Sequence, residues 1–379
     1  MGFAVLLGTL SLAVPAPRAA AAHPGRDVAA GAHCAACHAS PELAVPVRTE
    51  SCSGCHQWVR AVAADPAKRA KARTIFPNWD RYEKNVVSYF GMPDLAVAFA
   101  RLDPKWVRTY LADPHDVRPT LDESMVRVGL DAAALDALTA WAAGYSAKVP
   151  ATPAPDPAAV ATGERLFTER ACAACHTFGS RHLGPGIPGA PDLRWARQRM
   201  TSDMIAAWIA NPAAVAPGAT MPALGLTEAE ARALRDYVVL ADPDPAPVPV
   251  PAVANGEPAP ATPTWTDVEA RVFGKICVHC HMDPAQNEGR AGPGNAGGFG
   301  WAATGIELQT YEGVRKEQVR VLAALERRYA EEARDHVRPG QVPAATARPP
   351  RPGMPMGQPA LPLEDYAMVK AWYAAGAPR

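Results

Sequence analysis

The feature that most constrains this chain is a five-residue pattern, C-x-x-C-H, that occurs four times. It stands at Cys34–His38 (C-A-A-C-H), Cys52–His56 (C-S-G-C-H), Cys172–His176 (C-A-A-C-H) and Cys277–His281 (C-V-H-C-H). The sequence has 8 cysteines, and the four motifs use all of them. This spacing is the attachment signature for c-type haem. Two thiols reach the two vinyl edges of one porphyrin, and the adjoining histidine offers a ring nitrogen to the iron. Four covalently attached haem c groups are therefore expected. Cys34, Cys37, Cys52, Cys55, Cys172, Cys175, Cys277 and Cys280 would hold the porphyrins. His38, His56, His176 and His281 would be the proximal metal ligands. Two other readings compete. Cys34, Cys37, Cys52 and Cys55 nearly fit a paired C-x-x-C zinc site. Each pair could also be a redox disulfide, but no thioredoxin-like βαβ pattern surrounds them.

The chain's 379 residues suit two to four domains. Its Pro 40 and Gly 29 put much of it in loops and linkers. A formal net charge of +0 argues against a nucleic-acid partner, which would normally need a basic excess. Residues 1–22 read as a secretory signal peptide: apolar from Phe3 to Val14, ending in small residues at Ala19–Ala22. No Lys or Arg precedes the apolar run, so an uncleaved N-terminal anchor is the alternative. Export to the periplasm agrees with the motifs, because bacterial haem attachment of this kind takes place outside the cytoplasm.

Proline divides the rest. Val149–Pro157 (149–157) reads as a short linker and 242–264 as a longer Pro-rich one, both extended. An extended spacer advances about 3.1 Å per residue. Three units result: 23–148 with two motifs, 158–241 with one, and 265–379 with one. The apolar periodicity is helical throughout, with almost no strand signal, so the fold class expected is all-α. In the middle unit Thr162 is a candidate N-cap for a helix leading into the motif. A Gly-Pro loop follows it (Gly184, Pro185, Gly186, Pro188, Gly189, Pro191). A helix is expected over 203–210, and a capping box at Thr227–Glu230 opens the last one. In the last unit helices are expected over 265–277, 313–335 and 363–375, with a glycine-rich loop at 289–300. Val319, Leu322, Leu325 and Tyr329 would face inward from the second of these.

The first unit repeats the second half of the middle one. Pro93-Asp94-Leu95 matches Pro191-Asp192-Leu193, and Asp113-Pro114 matches Asn211-Pro212. From Met125, Gly129-Leu130, Leu138 and Trp141 follow as Gly225-Leu226, Leu234 and Tyr237 follow Met221. On this register the second motif pairs with Met125 as the third pairs with Met221. The first motif is then left without a domain of its own.

These residues resemble a known family. The stretch 158–241 is similar nearly end to end to a small monohaem cytochrome c domain, and 52–145 resembles the same fold over most of its length. The stretch 265–379 looks like a relative whose methionine lies just before the last helix. The whole then resembles a multihaem c-type cytochrome: tandem small cytochrome c-like domains joined by Pro-rich linkers. The resemblance implies a methionine as sixth iron ligand: Met221, Met125 and Met354, with Met356 a near rival of the last. Val126 stands where the family often has proline. The sixth ligand of the first iron stays open among His115, His23 and Met92.

The function implied is electron carriage between redox protein partners or a membrane respiratory complex, any membrane association running through a partner. No catalytic residue is expected. Two alternatives remain. The first haem could be five-coordinate and reactive towards peroxide or a small oxyanion. The chain could also be the cytochrome subunit of a larger dehydrogenase or oxidase complex.

Overall fold

The computed structural model describes residues 23–76, 79–86, 91–114, 125–179, 190–242, 258–283, 303–335 and 351–379. The expected signal 1–22, residues 243–257 of the long Pro-rich stretch, the Gly-Pro loop at 184–189, the glycine-rich loop 289–300 and His115 lie outside the described residues. The architecture is all-α, with no β-strand among the described residues. No helix among them is long and apolar enough to cross a membrane.

The chain divides into two compact units. One comprises Met1–Val28, Asp94–Tyr110 and Leu130–Asp244; the other comprises Ala29–Pro93, Leu111–Gly129 and Pro245–Arg379. This division cuts across the first of the three expected segments.

The first unit is built on one helix pair. Helix Val160–Glu169 lies against Glu228–Leu240, and the contact depends on Gly163. A Cβ at Gly163 would overlap the Ala233 carbonyl oxygen and sit 2.6 Å from the Tyr237 Cβ. Only glycine permits that approach. Leu166, Phe167, Phe178, Leu234 and Tyr237 then close a core, with Tyr237 5.2 Å from Phe178 and 5.5 Å from Phe167 between ring centroids. Each such side chain contributes about 1.5–3 kcal/mol on burial.

Thr162, expected as an N-cap, lies inside its helix; Asp156 caps the preceding turn from the Ala158 amide. Helix Ser202–Ala210 is capped by Thr201, and the capping box of Thr227 and Glu230 forms in both directions. Residues 149–157 are held down and do not hang as a free spacer. Thr152 donates to Asp203 from its amide at 2.9 Å and from its hydroxyl. Arg235, 1% exposed, bridges the Thr152 hydroxyl and the Pro153 carbonyl and pairs with Asp236.

The same unit holds helices Leu95–Arg101 and Ala132–Ala143, joined by Phe99 edge-on to Trp141 at 5.4 Å. Helix Pro24–Gly31 enters it through Gly25, whose Cβ would overlap the Ala137 carbonyl and sit 2.6 Å from the Trp141 Cβ.

The second unit has two cores. One joins helices Cys52–Ala63, Pro66–Ile75 and Trp79–Asn85 through Val59, Val62, Ala72 and Trp79. The other gathers Val268, Val272, Phe273, Val314, Leu325, Met368, Val369 and Trp372 around the last helix, Leu363–Ala374. Two expectations are corrected here. The helix expected over 265–277 is α-helical only at Trp265–Val268 and widens into a π-turn at Glu269–Phe273. The helix expected over 313–335 is broken at Glu317 into Tyr311–Lys316 and Gln318–Asp335. In the first turn of the second piece Val319 is 80% exposed, and Val321 takes the inward place beside Leu325.

Candidate haem-binding sites

The third motif shows how this sequence builds a site. Ala171 adopts the left-handed region (φ 53) and ends the preceding helix. A non-glycine residue there costs roughly 1–2 kcal/mol, which the surrounding packing must offset. The chain turns sharply, and Cys172–Ala174 forms one turn of 3₁₀ helix. His176 Nδ1 donates to the Pro191 carbonyl at 2.9 Å. That bond fixes the tautomer and leaves Nε2 as the lone-pair nitrogen. Burial, opposed by the Pro191 bond, lowers the His176 pKa, so the ring is held neutral as a metal ligand must be. Beside it Asp192 and Arg194 form a buried ion pair, and Asp192 also accepts from the Arg194 amide.

The first motif has the same geometry. His33 is left-handed (φ 55), Cys34–Ala36 forms the 3₁₀ turn, and His38 Nδ1 donates to the Pro93 carbonyl at 2.9 Å. Asp94 then caps the next helix from Ala96 and Val97, as Asp192 caps its own. Gly25 takes the part of Gly163. This corrects the register read from sequence. The repeated Pro-Asp-Leu belongs with the first motif, not the second, and Cys34–His38 does have a scaffold. The reading failed because 55 residues separate His38 from Pro93, against 15 between His176 and Pro191. The missed signal was Gly25, which precedes Cys34 at the offset by which Gly163 precedes Cys172.

The second motif lies inside that insertion and is built differently. Cys52–His56 forms the opening of a regular α-helix, capped by Ser51 from the Gly54 amide at 2.9 Å. No left-handed residue precedes it; Ser51 is extended (φ −116). The Ser51 hydroxyl reaches the Ala36 carbonyl of the first motif at 3.5 Å. A hydrogen bond between the Cys37 and Cys52 thiols, with burial, pushes the Cys37 thiol up, and the same bond, against burial, holds the Cys52 thiol down. Cys280 of the fourth motif raises the Cys37 thiol further, and Cys52 raises the Cys280 thiol in turn. Tyr82 meets His279, also of the fourth motif, at 5.1 Å between ring centroids. Three of the four motifs thus converge within the second unit.

In the fourth motif the π-turn leads into a 3₁₀ turn at Cys277–His279. Such turns of π-helix often mark functional sites. His281 Nδ1 donates to the Ile306 carbonyl at 3.2 Å, and burial lowers its pKa. Burial also pushes the Cys277 and Cys280 thiols up to about 12.

The methionines stand in loops. Met125 and Met221 each precede by four positions a left-handed glycine, Gly129 (φ 66) and Gly225 (φ 63). Each glycine leads to a capped helix, through Asp131 and through Thr227. The Met354 amide donates to the Ala324 carbonyl, pressing its loop onto helix Gln318–Asp335. Met125 and Met356 both line one cavity of the second unit, beside a buried Glu331 that pairs with Arg127 at 3.4 Å and accepts from the Gly353 amide at 3.1 Å.

The donor set fits haem. Paired sulfurs, a neutral imidazole oriented by a carbonyl and a thioether from a separate loop are what thioether-bound porphyrin iron takes. Among the described residues no three His, Cys, Asp or Glu side chains are grouped as around a bare metal ion, the arrangement zinc would need. A family model for cytochrome c matches residues 160–241, the stretch that carries Cys172–His176, Pro191 and Met221. That match supports a c-type cytochrome with covalently bound haem c and a role in electron transfer. No curated protein matches the chain, and no solved structure does.

Proposed function

We propose that this protein is an exported tetrahaem c-type cytochrome that carries electrons between redox partners in the periplasm. Bound haem supplies a one-electron ferric/ferrous couple. The protein's residues do the rest. Cys34, Cys37, Cys52, Cys55, Cys172, Cys175, Cys277 and Cys280 hold the porphyrin edges. His38, His56, His176 and His281 hold the irons, three of them aimed by backbone carbonyls. Met125, Met221 and Met354 would each offer a thioether sulfur to one iron, and such ligation raises the reduction potential relative to two nitrogen ligands. The observation that carries this reading is the geometry shared by the first and third motifs: a left-handed residue, a 3₁₀ turn carrying the cysteines, and an imidazole bonded to a proline carbonyl at 2.9 Å.

The docking partner is a redox protein or a membrane respiratory complex. Stepwise reductive titration of the exported protein tests the reading. Four electrons taken up per chain, with low-spin spectra, support it; one electron per chain, or uptake of zinc, removes it.

A further inference from the structure

We propose that Met125 is the sixth ligand of the iron held by Cys34, Cys37 and His38, and that the haem of odd ligation is the one at Cys52–His56. This rests on the four-haem reading above. The first and third motifs share a run of matched features. The residue before the first cysteine is left-handed in both, at φ 55 and φ 53. The second cysteines have nearly the same backbone, φ −114 and ψ −38 for Cys37, φ −112 and ψ −39 for Cys175. The histidine–carbonyl bond is 2.9 Å in each. An aspartate follows the bonded proline and caps a helix in each. The helix before each motif crosses the last helix through a glycine set against a carbonyl and an aromatic Cβ. The loop ahead of that last helix carries the methionine, four positions before a left-handed glycine, in each.

A proximal face and a distal loop set by the same contacts serve the same iron. Met125 therefore goes with Cys34–His38 as Met221 goes with Cys172–His176. The second motif shares none of these features. It is helical, capped by Ser51, and sits in the stretch inserted between His38 and Pro93. Any reactive, open-sided haem in this protein is then the second and not the first.

The test uses the exported full-length chain. The double substitution Cys52→Ala with Cys55→Ala deletes the second haem, and Met125→His is added to it. The readouts are the far-red methionine–iron charge-transfer band of the ferric protein and the set of midpoint potentials. In the three-haem background, Met125→His should remove about a third of the band and lower one potential, nitrogen having replaced sulfur on one iron. If Met125 serves the second iron, or none, the added substitution changes neither readout and the proposal fails. Should the double variant not accumulate, an iron anomalous map of wild-type crystals decides the same point. The Met125 sulfur lies either on the iron bound through Cys34 and Cys37 or away from it. Fewer than four haems in the wild-type chain would instead overturn the four-haem reading.

Discussion

The third motif sits in a contiguous stretch, and the first sits in the same scaffold cut open. The carbonyl that aims His176 comes 15 positions later in the chain; the one that aims His38 comes 55 positions later. Both imidazoles nonetheless end 2.9 Å from their acceptors. The scaffold is defined by a few contacts at its ends: a glycine crossing, a left-handed residue, a histidine–carbonyl bond. A loop between them can hold another whole haem motif because the ends are fixed by those contacts, and the cost of lengthening a loop grows only slowly.

The comparison can be broken by removing the haem. Cys172→Ala with Cys175→Ala, and separately Cys34→Ala with Cys37→Ala, should each abolish the cooperative melt of its own scaffold, by the coupling of cofactor binding to folding. Circular dichroism on heating checks this; native-like helix content with a sharp transition in either variant would contradict it.

A second test asks where the two scaffolds differ. Arg235 is buried against Asp236 and Thr152, whereas Thr139, at the matching place before Trp141, only bonds back to the Leu135 carbonyl. Arg235→Ala should cost about 3–5 kcal/mol, since it strands a buried carboxylate. Thr139→Ala should change stability by no more than about 1.5 kcal/mol. Denaturant titration of the holoprotein reads both.

Equal glycine crossings make equal demands. Gly25→Val and Gly163→Val should each destabilise by at least about 1–3 kcal/mol, because backbone and not a flexible side chain is in the way. A large loss in one and none in the other would show that the two crossings are not equivalent.

The smallest expected difference is acid sensitivity. The Thr227 amide and hydroxyl and Arg170 hold the Glu230 carboxyl down to about 2; the first scaffold has Ala134 at that place. A depressed carboxylate adds stability above its unfolded pKa and loses it as pH falls through the folded value. Glu230→Gln should therefore flatten the stability of the third scaffold between about pH 4.5 and 2, read as melting temperature against pH.

Local chemistry was legible in the sequence; pairing at a distance was not. The motifs, the all-α class, the capping box at Thr227 and the buried roles of Trp141, Tyr237 and Trp372 follow from spacing and periodicity within one segment. The partner of Pro93 did not, since an acceptor that is a backbone carbonyl leaves no mark on its residue type. The break at Glu317 was hidden for a similar reason. Helical periodicity continues on both sides of it, so nothing in the residue pattern marks the break.

The central claim is that all four cysteine pairs carry haem. Intact mass of the exported protein, with iron counted per chain, tests it most directly. The account predicts a mass increased by four haem groups and four irons. A smaller increment, or cysteines that still react with a thiol reagent after denaturation, would contradict it.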